Sequence, residues 1–365
     1  MKTVICLFCL NLVFLVFRAE AQVSGARVEE SVELMSVIAR TAGFDEYCMD
    51  RGGTYTEDVD EWFRSCADQP VVAMMKELRQ DHGLGYDAVM NMAIRLEKED
   101  GVFVLADGAH AELDNRWSGT DFSLFVSCVN RFYRESRFGE FFERHSGFYG
   151  RALASFEENV MAYFDQDWYR RFYREEPREK FSVVIGCVNG GACYGPSMTS
   201  DEGREVFAII GYMENDGKPV FDIDRSYVYH LVHEFNHSFV NHLLYENGNE
   251  QAMEGPGERL FQFVGRQMTL QAYGYWQTFI HESIVRAAVI CYRIDAGCPM
   301  EELQDAMLRE IQRGFLWTPS LVKLLRKYER HQGRYGSFAD FYPHIIRLLE
   351  KEADRACRNF RSALE

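Results

Sequence analysis

Apolar positions recur at three- and four-residue spacing through most of 28–174. VEESVELMSVIARTAGF, PVVAMMKELRQDHG and YDAVMNMAIRLEKEDG each read as an amphipathic helix closed by a glycine that suits a helix C-terminus. DFSLFVSCVNRFYRES and ALASFEENVMAYFDQDWYRRFYREE continue the pattern, with aromatic stripes that suit packing between helices. The pattern changes at Phe181. FSVVIGCV, ended by Asn189-Gly190-Gly191, and EVFAIIGYM, ended by ENDGKP, are short β-branched runs that predict two strands. A histidine-rich helix, HLVHEFNHSFVNHLL, follows. Further helices are expected over 258–270, 275–293 and 300–313, then from Thr318-Pro319, and after Ser337. The expected fold is α+β and mainly helical, with a small β-sheet ahead of the histidine helix. A soft boundary separates a mainly helical region, 22–178, from a second region, 179–365, that carries the candidate chemistry.

Composition narrows the setting. The chain opens MKTVICLFCLNLVFLVFRAEAQ, where Lys2 precedes an apolar run over 4–17 and Ala19-Glu20-Ala21 fits a small-x-small cleavage site. This reads as a secretory signal over 1–21, removed after Ala21, with an uncleaved anchor as the alternative. The mature protein is then secreted or periplasmic, with no stable membrane insertion once the signal is gone. The full chain's formal net charge of −16 disfavours nucleic-acid phosphates and anionic lipid headgroups as partners. Eight cysteines lie beyond the signal, and none of them forms a Cys-x-x-Cys pair. An oxidising compartment permits disulfides, with Cys187/Cys193 and Cys291/Cys298 closest in sequence, but buried thiols are an equal expectation.

The histidine helix holds the pattern His233-Glu234-x-x-His237. Two histidines four apart lie one turn apart on one helix face, so both imidazoles reach one ion. Glu234 lies beside them, where a carboxylate takes a proton from a metal-activated water. A third ligand is required. His242 is nine residues beyond His233, which at about 100° per residue turns it to the opposite face. The metzincin pattern also fails, because Val240 stands in place of its glycine and His242 falls five rather than six residues after His237. His230 shares the face at i−3 but would strain a single tetrahedral site, so an outer contact or packing suits it better. Glu282, inside the apolar helix YGYWQTFIHESIVRAAVICY, is the favoured third ligand, since an unpaired buried carboxylate is costly. An ion pair with Arg286 would also explain it, and Glu254 and Glu258 in AMEGPGERL remain alternatives.

HEFNH followed by HESIVRA, behind a signal peptide and a strand pair ending in a glycine turn, resembles the gluzincin type of zinc metallopeptidase. Within that type the chain is most similar to an uncharacterised family of exported bacterial proteins. The resemblance implies a zincin-like core, Zn2+ held by His233, His237 and Glu282, Glu234 as general base, and a peptide or protein substrate. One departure is Arg286, which stands where the thermolysin-like pattern places an acidic residue; the short spacing from second histidine to glutamate is also absent. Tyr275 and Tyr194 are candidate oxyanion donors, with Arg286 and His230 as candidate outer contacts. Substrate backbone is expected to add to a strand edge at 181–188 or 206–212. The rival expectation is a zinc-binding, non-catalytic exported module. Oligomeric state is left open by the sequence.

Overall fold

The computed structural model describes residues 25–364 apart from 50–52, 107, 109–112, 202, 216–217, 222–224 and 272. The signal segment expected over 1–21 lies outside the described residues. The first half is a helical layer of α1 (Glu30–Thr41), α2 (Thr54–Phe63), α3 (Pro70–His82) and α4 (Asp87–Ala93), then a hairpin of β1 (Leu96–Glu99) and β2 (Val102–Leu105). It continues through α5 (Phe122–Glu135), α6 (Phe138–Arg144), α7 (Ser146–Asn159) and α8 (Asp167–Tyr173). The sheet region comprises β3 (Lys180–Gly186), β4 (Cys193–Tyr194), β5 (Ser197–Ser200), β6 (Gly203–Gly211), β7 (Met213–Asn215) and β8 (Lys218–Val220). Six helices complete the chain: α9 (Ser226–Val240), α10 (Asn249–Thr269), α11 (Trp276–Asp295), α12 (Met300–Gln312), α13 (Thr318–Arg330) and α14 (Phe338–Ser362). The fold is thus α+β and mainly helical, with a small sheet ahead of α9.

Two expected elements differ. The helix expected through YDAVMNMAIRLEKEDG stops at Ala93, and its second half is β1 and the turn into β2. Asp100 and Gly101 both take positive φ, the conformation a two-residue hairpin turn demands, so the Asp-Gly turn signal outweighs helical spacing. The helix expected over 258–270 starts earlier and takes in AMEGPGERL. Helix α10 begins at Asn249 and runs through Pro256. At Gly257 an added Cβ would stand 2.5 Å from the Trp276 ring, so the glycine permits close approach of α10 to the start of α11.

In the four-stranded sheet β6 is central, parallel to β3 on one side and antiparallel to β4 and β5 on the other. Helix α9 packs against this sheet through its apolar face. Phe235 stacks on Phe181 of β3 at 4.3 Å, and Phe239 on Tyr173 of α8 at 4.6 Å. Burying each phenylalanine contributes about 1.5–3 kcal/mol, which fixes the rotation of α9 and turns its histidine face toward α11. No helix among the described residues is long and apolar enough to cross a membrane. The eight cysteines at Cys48 and beyond are all free thiols.

Helix α1 is tied to the sheet by a buried carboxylate. Glu33 accepts hydrogen bonds from the Tyr55 hydroxyl (2.6 Å) and the Cys187 amide (2.5 Å), and Tyr55 also bonds Tyr149 (2.8 Å). Burial pushes the Glu33 carboxyl up to about 7 from an ordinary 4.5, against the pull of its donors. The folded chain therefore holds this proton more tightly than the unfolded chain. The stability it confers is full below about pH 4.5 and is lost as pH rises through about 7. In Glu33→Gln the amide oxygen accepts from Cys187 while the amide nitrogen donates to a reoriented Tyr55 hydroxyl. This variant is expected to be more stable than wild type by about 2–3 kcal/mol at pH 8, with the gap closing near pH 4.5. Urea unfolding at the two pH values measures it; equal differences at both would show that Glu33 does not titrate in this range.

Candidate metal centre

Three side chains converge where α9 meets α11. The Nε2 atoms of His233 and His237 are 3.2 Å apart. Glu282 presents Oε2 at 3.5 Å from His233 Nε2 and Oε1 at 3.3 Å from His237 Nε2. An ion bound tetrahedrally with bonds of about 2.0–2.1 Å has ligand atoms about 3.3 Å from one another. The observed separations match that spacing, so this buried group could hold a metal ion. Among the described residues no other set of three histidine, cysteine or carboxylate side chains converges in this way.

Within the group, Glu282 and His237 shift each other's protonation. Burial would raise the Glu282 carboxyl, but His233 and His237 hold it well below the usual carboxylate range. Burial would lower His237, yet the hydrogen bond and charge of Glu282 lift it to about 9. Asn241 lies one turn beyond His237, its Oδ1 at 3.1 Å from Nδ1. With the proton on Nδ1 donated to that oxygen, Nε2 keeps its lone pair for an ion. Arg286 serves the carboxylate: its Nε donates to Glu282 Oε2 at 3.0 Å, which leaves Oε1 toward His237. Arg286 is itself fixed by Glu310 at 2.9 Å, by the Tyr273 hydroxyl at 3.1 Å and by stacking on Phe315 at 4.4 Å. The residue that departs from the thermolysin-like pattern thus orients a glutamate rather than a histidine.

His233, Glu234 and Arg286 line a cavity of about 1200 Å³ that is walled also by Gly191, Ala192 and Cys193. Gly195, just past β4, packs against the Glu234 carboxylate; a Cβ there would come within 2.1 Å of Oε2, so only glycine leaves that group its place. Strand β4 is the sheet edge that meets the cavity. This corrects the expected substrate edges. Both sides of β6 are paired, and the outer side of β3 carries a parallel bridge from Arg27.

The other candidates are placed as follows. His230 lines the cavity one turn before His233 but stands outside the converging group. Tyr275 is extended backbone one residue ahead of α11 and is 74% exposed, because the helix starts too late to carry it onto the Glu282 face. Tyr194 is buried and stacks on Tyr47, away from the cavity. Strand alternation explains this, since Cys193 takes the cavity side. Glu254 and Glu258 are exposed on α10. His242 bonds the Ser238 carbonyl and stays outside the group. Sequence reasoning missed Tyr273, Asn241, Gly195 and Glu310. Of these only Asn241 carried a local signal, its i+4 spacing from His237.

Residues 25–348 match the family model described as DUF4932, a domain of unknown function, and the chain belongs to that family. No curated protein and no solved structure matches the chain.

Proposed function

We propose that this DUF4932 chain is an exported zinc-dependent peptidase of the gluzincin type, with a zincin-like core formed by β3–β6, α9 and α11. The observation that carries the reading is the spacing of His233, His237 and Glu282, with Glu234 facing the same cavity beside them. Two imidazoles and one carboxylate, leaving one position open, is the ligand set of a catalytic zinc. A purely structural site would be closed by a fourth protein ligand and has no use for Glu234. When bound, zinc supplies a Lewis acid for the scissile carbonyl and lowers the pKa of a water toward ~7. Glu234 accepts the proton of that water and passes it to the leaving amine. Asn241 and Arg286 hold the ligands in place. Edge strand β4 offers backbone groups to an extended substrate.

Metal analysis of the purified chain should find one zinc per molecule. A broad peptide library should be cleaved, with cleavage stopped by a chelator and restored by zinc. Absence of bound zinc at equilibrium overturns the proposal. A zinc-loaded chain that cleaves nothing is instead a non-catalytic binding module.

A further inference from the structure

Beyond the metal ligands, the cavity has a charged far end. Arg293 follows Glu282 by eleven residues on α11, which at about 100° per residue returns it to within about 20° of the same face. The cavity runs along this face past Val289 and Ile290 to Arg293. The rise along the helix is about 16 Å, the reach of about five residues of extended peptide.

Arg293 is a built group rather than a loose surface charge. Its guanidinium stacks on the Tyr229 ring at 3.5 Å, and the Tyr229 hydroxyl is fixed by Cys298 Sγ at 2.9 Å. Its Nε is buried without a hydrogen-bond partner, and no ion pair reaches it among the described residues. Of the other cavity arginines, Arg286 is committed to Glu282 and Glu310, Arg313 to Glu310 at 3.6 Å, and Arg225 lies over the Tyr163 ring at 4.6 Å. Arg309 lines the same end and its charge acts on Arg293, as does the opposite charge of Glu302. A half-buried guanidinium that makes no ion pair among the described residues has charge to offer a single carboxylate. Glu302 and Asp305, on α12 with Arg309, disfavour a multiply charged ligand such as a phosphate.

We propose that Arg293 is a specificity residue that binds a carboxylate of the substrate, about five residues from the scissile bond. The carboxylate is either the peptide's C-terminus or an aspartate or glutamate side chain. The inference rests on the peptidase reading only in taking the ligand to be a peptide; carboxylate recognition itself needs no metal.

The test is a binding measurement on the purified chain in chelator, by fluorescence anisotropy with three labelled hexapeptides of otherwise identical sequence. One ends in a free carboxylate, one is amidated with an internal glutamate, and one is amidated with glutamine in its place. At least one anionic peptide should bind tenfold or more tightly than the neutral one, and the tighter of the two identifies the source of the carboxylate. Arg293→Met, which keeps the stem on Tyr229, should bring all three within twofold. Arg293→Lys should keep a preference of threefold or more. Equal or immeasurable binding of the three by wild type, or a preference that survives in Arg293→Met, overturns the assignment. Zinc-loaded protein is then given the same peptides. Selective binding upholds Arg293 whether or not these peptides are cleaved, and the broad peptide library decides the peptidase reading separately.

Discussion

Glu282→Gln should lose metal affinity by on the order of 10³-fold, more than the 10–100-fold that removal of an outer contact costs. The amide keeps the shape of the carboxylate but removes the charge that balances a divalent ion between two imidazoles. The chain should still fold. Arg286 loses one acceptor yet retains Glu310 and the Tyr273 hydroxyl, so no buried guanidinium is left unpaired. A zinc-indicator competition titration reads the affinity, with Glu258→Gln as the control because that residue is exposed on α10. Wild-type zinc affinity in Glu282→Gln would remove Glu282 from the ligand set.

Glu234→Gln is expected to separate holding the metal from using it. Glu234 is not one of the three converging residues, so zinc binding should change little, with a small loss from the removed negative charge. Its amide accepts no proton, and peptide hydrolysis should fall by on the order of 10² or more, in kcat rather than KM. The contact with Gly195 is made by a group of nearly the same size, so the loop after β4 has no cause to move. Single-turnover cleavage by the zinc-loaded variant measures the effect. A wild-type rate would exclude Glu234 as the base and with it the proton path described above.

The parts of the site that were legible in the sequence are those with local signals. His233 and His237 share a face by helix geometry, and Glu282 is conspicuous as a carboxylate in an apolar helix. The partners that tune them come from elsewhere in the chain. Glu310 reaches Arg286 from α12, Tyr273 from the loop before α11, and Gly195 comes to Glu234 from the turn after edge strand β4. No periodicity reports such meetings. Tyr194 and Tyr275 were misplaced for related reasons: a strand's two-residue alternation and a helix start shifted by one residue each decide which way a ring points. The β1–β2 hairpin was hidden because apolar spacing through Leu96 fits a helix as well as a strand. Pro256 misled because flanking glycines favour a loop, whereas packing of α10 against α14 and α11 sustains the helix through it.

A protein with an open sheet edge beside its cleft risks joining copies of itself edge to edge into fibrils. Here the edge is broken into β4 and β5, with Pro196, which has no amide hydrogen, between them. The Ser197 carbonyl is already taken by the buried Arg95 guanidinium at 2.9 Å. A neighbouring chain therefore meets no continuous ladder of donors and acceptors. The same interruption that confines backbone pairing near Glu234 to a couple of residues guards the folded protein against self-templated aggregation.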